Sequence, residues 1–174
     1  SYLLRHFKEN FPGSILSLGE DQNGRVWIGS YGEGFGYIDA DGKNYHKYPK
    51  HPTISVFGIA VSKTGELWLA TMGQGLLRIN LTTNQEKAYV TDVKAENDRS
   101  IDCLVNDYIS TLSFSPDGRR LYVATTMGVC CLCICRHIVW TLCTSAGTAI
   151  CKHRCRRIVP ITNICTCCIN GTGK

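Results

Sequence analysis

The phrase GRVWIGSYGEGFGYID, residues 24–39, returns as GELWLATMGQGLLRIN, residues 65–80. Gly24 aligns with Gly65, Trp27 with Trp68, and Gly32-x-Gly34 with Gly73-x-Gly75, an offset of 41 residues (65 − 24). A third copy, SPDGRRLYVATTMGVCCL, places Gly118 on the turn glycine, Tyr122 on the Trp position after one inserted residue, and Gly128 on the first glycine of the next turn. An alternating apolar segment precedes each copy: SILSLGED, ISVFGIAVS and YISTLSFSP. Self-similarity at a fixed period of this size signals a repeat architecture, in which each unit buries its faces only against its neighbours.

Within each copy the local signals are those of strands. Q-N-G, K-T-G and P-D-G are hairpin turns whose glycine supplies a positive φ. RVWIGS and ELWLAT alternate with period two, so Trp27 and Trp68 point to the face opposite their direct neighbours. G-E-G and G-Q-G make a second turn into FGYID and LLRIN, and NYHKYP or QEKAYV closes the unit. Four antiparallel strands in about 41 residues are the size of one propeller blade. The reading is therefore all-β: a β-propeller fragment of four-stranded antiparallel blades, about two and a half of them, with an irregular Cys-rich C-terminal tail.

The expected organisation is the end of a preceding blade at 1–13, blades at 14–50 and 51–90, a polar inserted loop at 91–107, a partial blade at 108–132 and the tail at 133–174. Propellers close with about four to eight blades, so a longer parent is expected. The opening SYLLRHFKENFPGS lacks the basic start and apolar stretch of a signal peptide. The apolar run Met127–Cys135 falls well short of the roughly 20 residues that cross a bilayer, so no membrane contact is expected of this segment.

The net charge of +5 over 174 residues is unevenly laid out. Residues 1–132 carry 13 Lys and Arg against 14 Asp and Glu; residues 133–174 carry six basic residues and no acid. Eight of the 11 cysteines lie from Cys133 onward. Three readings of the tail compete. Cys151, His153 and Cys155, with Cys165, Cys167 and Cys168, have metal-ligand chemistry without the C-x₂-C pairing of a zinc site. A disulfide cluster suits an oxidising compartment but leaves one cysteine over. A reading frame that slips near codon 133 accounts for the abrupt loss of local consistency.

The repeat phrase, D-x-x-G-x-[LV]-W-[IL]-[GA]-[ST] followed by G-x-G-[LF], resembles the two-component regulator propeller repeat. It runs from Asp21 to Phe35 and, with Ser62 in place of Asp, from Ser62 to Leu76. PGSILSLGED and NDYISTLSFSPDGRRLYVATTMGVCCL are similar to the periplasmic sensor region of hybrid two-component systems from Bacteroidetes. The resemblance implies a periplasmic location and a parent, as a homodimer, that carries histidine kinase and DNA-binding parts elsewhere. It implies an oligosaccharide ligand and control of transcription. Neighbouring blades are the other expected partners, and the chain itself is expected not to be an enzyme.

Other motifs reduce to structure. Gly32-x-Gly34-x-Gly36 is followed by a strand and not by the helix N-terminus that a phosphate site uses. Trp27 and Trp68 could stack on sugars, but their shared register favours core packing. Asp21, Asp39, Asp41 and Asp117 adjoin turns, where Asp bonds local backbone. His6, His46 and His51 match no nucleophile pattern, and no catalytic, cofactor or metal residue is assigned. Asn80-Leu81-Thr82 and Asn170-Gly171-Thr172 match a glycosylation acceptor of low specificity. Scattered basic residues leave no nucleic-acid footprint. Tyr31 and the insertion are the ligand-binding candidates. Enzyme and protein-scaffold propellers remain as alternatives, since fold does not set function.

Overall fold

A computed structural model describes residues 12–90, 106–133, 138–142, 148–149 and 159–160, with side chains described through Val129. The N-terminal stub and most of the insertion and tail lie outside the described residues. So do the tail's candidate ligands Cys151, His153, Cys155, Cys165, Cys167 and Cys168. Among the described residues every element is a strand.

Three four-stranded antiparallel sheets follow one another along the chain. The first orders β1 (Ile15–Glu20), β2 (Val26–Ser30), β3 (Phe35–Ile38) and β4 (Tyr45–Lys47). The second repeats this with β5 (Val56–Val61), β6 (Glu66–Thr71), β7 (Leu76–Asn80) and β8 (Glu86–Tyr89). The third has β9 (Ile109–Phe114), β10 (Arg120–Thr125), β11 (Gly128–Cys133) and β12 (Ile138–Leu142). Each sheet meanders in chain order, which is the layout of a propeller blade.

The third sheet runs past Leu132, where the sequence reading ends its partial blade. β12 pairs with β11 from Val129↔Leu142 to Cys133↔Ile138. Ile138-Val139-Trp140-Thr141-Leu142 contains no trace of the Gly-x-x-Trp phrase, but its β-branched and aromatic residues suit a strand beside an open edge. Beyond it, Thr148–Ala149 (β13) and Val159–Pro160 (β14) form a small antiparallel pair.

The core lies between the blades. Trp27, Phe35, Val56, Leu67, Leu69 and Ile79 belong to one buried cluster, built from the first and second sheets. Trp68, Leu76, Tyr89, Ile109, Leu121 and Val123 belong to a second, built from the second and third. Strand β6 contributes to both. Alternation sends Leu67 and Leu69 to one cluster and Trp68 and Ala70 to the other, so all six of its residues are buried.

The Trp register is kept in all three sheets. Trp27 lies opposite Gly19, Trp68 opposite Ala60 and Tyr122 opposite Ser113. The small partner leaves room for the next blade: a Cβ on Gly19 would come within 2.6 Å of Ile59 Cγ2. Trp27 is 2% exposed and Trp68 is 0%, while Tyr122, with no described sheet on its side, is 40% exposed. On the far side of the first sheet Leu18 is 61% exposed, where its counterpart Ile59 packs against a blade. Burial of the signature aromatic therefore comes from the neighbouring blade and not from its own.

Polar contacts repeat the same step. The Gln22 amide donates to the Lys63 carbonyl of the next blade, and Lys63 Nζ to the Pro116 carbonyl of the one after, at 3.4 Å. Gln22 and Lys63 occupy the same turn position, 41 residues apart (63 − 22).

Candidate functional site

The signature residues divide between turns and core. At the β1–β2 turn, Asp21 accepts hydrogen bonds from Asn23 N (2.9 Å), Arg25 N (3.1 Å), Arg25 Nε (2.7 Å) and Trp27 Nε1 (2.9 Å). Burial by itself would raise the pKa of this carboxyl, but the bonds from Trp27, Arg25 and the backbone outweigh it and hold the pKa below the usual value. The Arg25 guanidinium also lies over the Trp27 ring at 5.6 Å and the Tyr37 ring at 5.0 Å.

Ser62 stands at this place in the second blade. Its Oγ accepts from Glu66 N (3.0 Å) and does not reach the indole, so Trp68 Nε1 is buried without a partner. Glu66 there takes the opposite role to Arg25, pairing with Arg78, which lies 5.6 Å over Trp68. In the third blade Asp117 accepts from Ser115 Oγ (2.6 Å) and Arg119 N (3.0 Å). Asp39 binds Asn44 and His46, and Asp41 pairs with Lys43. Asn80 Oδ1 caps Thr82 N and Thr83 N in its own turn. None of these carboxylates is paired with another, and no group of three or more metal-binding side chains occurs among the described residues.

The glycine pairs serve backbone geometry. Gly34 and Gly75 have φ of 79° and 73°. A Cβ on Gly34 would strike the His51 carbonyl, and one on Gly75 the Tyr89 carbonyl, so the chain crossing to the next blade passes where a side chain would be. Gly32 and Gly73 also take positive φ, 69° and 83°, but face no such backbone crowding. The third turn is shorter. Thr125 Oγ1 donates to the Gly128 carbonyl as Ser30 Oγ does to Gly34 and Thr71 Oγ1 to Gly75. Gly128 thus takes the place of the second glycine of the pair, where the sequence reading put it on the first. Gly24, Gly65 and Gly118 are the positive-φ residues of the β1–β2 type turns.

A polar cluster joins the first two blades. Glu86 on β8 accepts from Tyr48 Oη (2.6 Å), Lys50 Nζ (2.8 Å) and His51 Nε2 (2.9 Å). Tyr48 stacks on Phe35 at 4.6 Å. Desolvation raises the Glu86 pKa, yet its three donors prevail and hold it at about 2. Sequence reasoning missed this cluster because Glu86 lies 35 or more residues from its three donors and the four belong to no motif.

Tyr31 is 56% exposed in the β2–β3 turn. The equivalent turn of the second blade exposes Met72, and that of the third exposes Met127. These turns share one end of the blades with the crossovers that lead to the next inner strand: Gly34 N donates to Ile54 O, and Gly75 N to Asp107 O. Loops at such an end line the mouth of a propeller's channel, where ligands gather.

Sheets of this order, packed through a repeated Trp register, define a β-propeller. Residues 11–32 match the two-component regulator propeller family. In solved structures the chain is similar to the extracellular domain assigned to hybrid two-component system BT3049 of B. thetaiotaomicron, with 20% identity and a TM-score of 0.64 over 79% of this chain and 19% of that one. The corresponding domain of BT4673 from the same organism gives 22%, a TM-score of 0.55, and 66% and 14% coverage. PorZ, a surface component of the type-IX secretion system of Porphyromonas gingivalis, gives 26%, a TM-score of 0.53, and 66% and 17% coverage. No curated protein matches in sequence. The chain spans about a fifth of the length of the first of these relatives.

Proposed function

We propose that the chain is part of the ligand-sensing propeller of a hybrid two-component sensor. In this reading it lies outside the inner membrane, binds an oligosaccharide released from a glycan, and catalyses no reaction itself. Kinase and DNA-binding parts of the same sensor turn binding into transcription, and the sensor acts as a homodimer. The observation that supports it is the regulator-propeller match over the Asp21–Trp27 turn, on a fold shared with extracellular sensor domains. No helix among the described residues is long and apolar enough to cross a membrane.

Calorimetry of the whole sensor against an oligosaccharide panel, with product analysis of each mixture, tests the reading. Binding without turnover is the expected result, whereas turnover makes the propeller an enzyme. The absence of both favours a protein-binding scaffold, the reading to which the likeness to PorZ lends support.

A further inference from the structure

Three successive blades lift large apolar side chains out of the same rim. The amides of Tyr31, Met72 and Thr126 donate to the carbonyls of Ser14, Ser55 and Tyr108 at 3.0, 3.1 and 3.1 Å. Gly32 N also donates to Ser55 Oγ at 2.9 Å, and Met72 bridges to Tyr108. The strip Tyr31, Met72, Tyr108, Met127 is therefore linked step by step from blade to blade. Each of the four is exposed, between 47% and 64%. Tyr108 stands where the other two blades have Ser14 and Ser55, so the third blade adds an aromatic that the repeat does not require. Asn106 Oδ1 accepts from Tyr108 N (2.7 Å) and Thr126 Oγ1 (3.1 Å), which ties this corner together.

Charge narrows what the strip can receive. Among residues 13–14, 31–34, 52–55, 72–75, 106–108 and 126–128 the only charged side chains are Glu33 and Asp107, both acidic. The nearest basic side chains of the crossover, Lys50 and His51, are engaged by Glu86.

We propose that this strip is the ligand-contacting surface and that it takes a neutral oligosaccharide, with Tyr31 and Tyr108 each lying under a sugar ring. The proposal rests on the glycan-sensing reading above. The C–H face of a pyranose carries weak positive charge, which suits the negative face of a phenol ring. Met72, flexible and polarisable, fills the interval between the two rings. Sulfated or uronic sugars need cations, and this rim would meet them with carboxylates.

The test is titration of the full 174-residue chain with neutral linear oligosaccharides and with sulfated and uronic ones of equal length. A neutral sugar should bind. Tyr31→Ala and Tyr108→Ala should each weaken it about tenfold. Tyr31→Phe should bind nearly as wild type, and thermal melting should be unchanged in all three variants. Neutral binding that survives both alanine variants, or binding of the acidic sugars alone, overturns the inference and leaves glycan sensing standing. A folded chain that binds neither class overturns the inference, and the calorimetry of the whole sensor decides the glycan-sensing reading separately.

Discussion

Replacing Asp21 by Ala isolates what the turn carboxylate does for the blade. Four donors lose their acceptor, but they do not lose equally. Asn23 N and Arg25 N lie in a part-buried turn at the surface, where water can replace the carboxylate at a cost of about 0.5 kcal/mol each. Arg25 is partly exposed, and its ion pair is worth at most about 1 kcal/mol. The indole N–H of Trp27 is sealed between blades and finds no substitute, which costs about 1–3 kcal/mol. The sum is about 2–5 kcal/mol, read as a lower urea midpoint at unchanged slope, with tryptophan fluorescence as the probe. Because the folded-state pKa of Asp21 is lowered, its contribution is full above the unfolded carboxylate range and fades as pH falls. The gap between wild type and variant should therefore narrow in acid. A variant within about 0.5 kcal/mol of wild type at pH 7, the usual range of a neutral surface change, refutes the assigned role.

Trp68→Ala should cost about 3–5 kcal/mol in the same titration, whereas Tyr122→Ala, in the same register but exposed, should cost under about 1 kcal/mol; equal losses would contradict burial between blades. Gly34→Ala should destabilise more than Gly32→Ala, because both strain φ while Gly34 alone also strikes a carbonyl; thermal melting ranks them, and the reverse order refutes the crossover argument. Glu86→Gln should flatten the acid limb of the stability curve. A carboxylate held at about 2 stabilises above the unfolded value near 4.5 and loses that as pH falls, about 3 kcal/mol at most, so an unchanged limb rules the cluster out as its source. Translation of the coding DNA beyond codon 132 in the other two frames should restore a Gly-x-x-Trp phrase if the tail arises by a frame slip; if neither frame contains one, that origin is excluded.

Much of this was legible from Gly24 to Asp39 and its copy. A period of 41 with turn glycines and a Trp in strand register determines four-stranded blades, because a lone sheet with two apolar faces has nothing else to bury them against. The same pattern separated the structural aspartates from catalytic ones, since each sits beside a turn. The fourth strand of the third sheet carried no such pattern. Ile138–Leu142 pairs through backbone hydrogen bonds, which any β-prone segment can make at an open edge.

Only the tertiary structure decided what depends on residues far apart in sequence. Ser62 and Asp21 occupy one position of the repeat, yet one leaves its Trp indole unpartnered and the other satisfies it, because the serine hydroxyl sits one bond closer to the backbone than the aspartate carboxylate oxygens. Glu86 gathers Tyr48, Lys50 and His51 across a blade boundary that no local pattern marks. Tyr31 was visible as a loop aromatic, but its alignment with Met72 and Tyr108 along one rim exists only once the crossovers return each chain end to the same side. Local periodicity determined the blade; the stacking of one blade on the next determined which side chains are core and which remain free to meet a ligand.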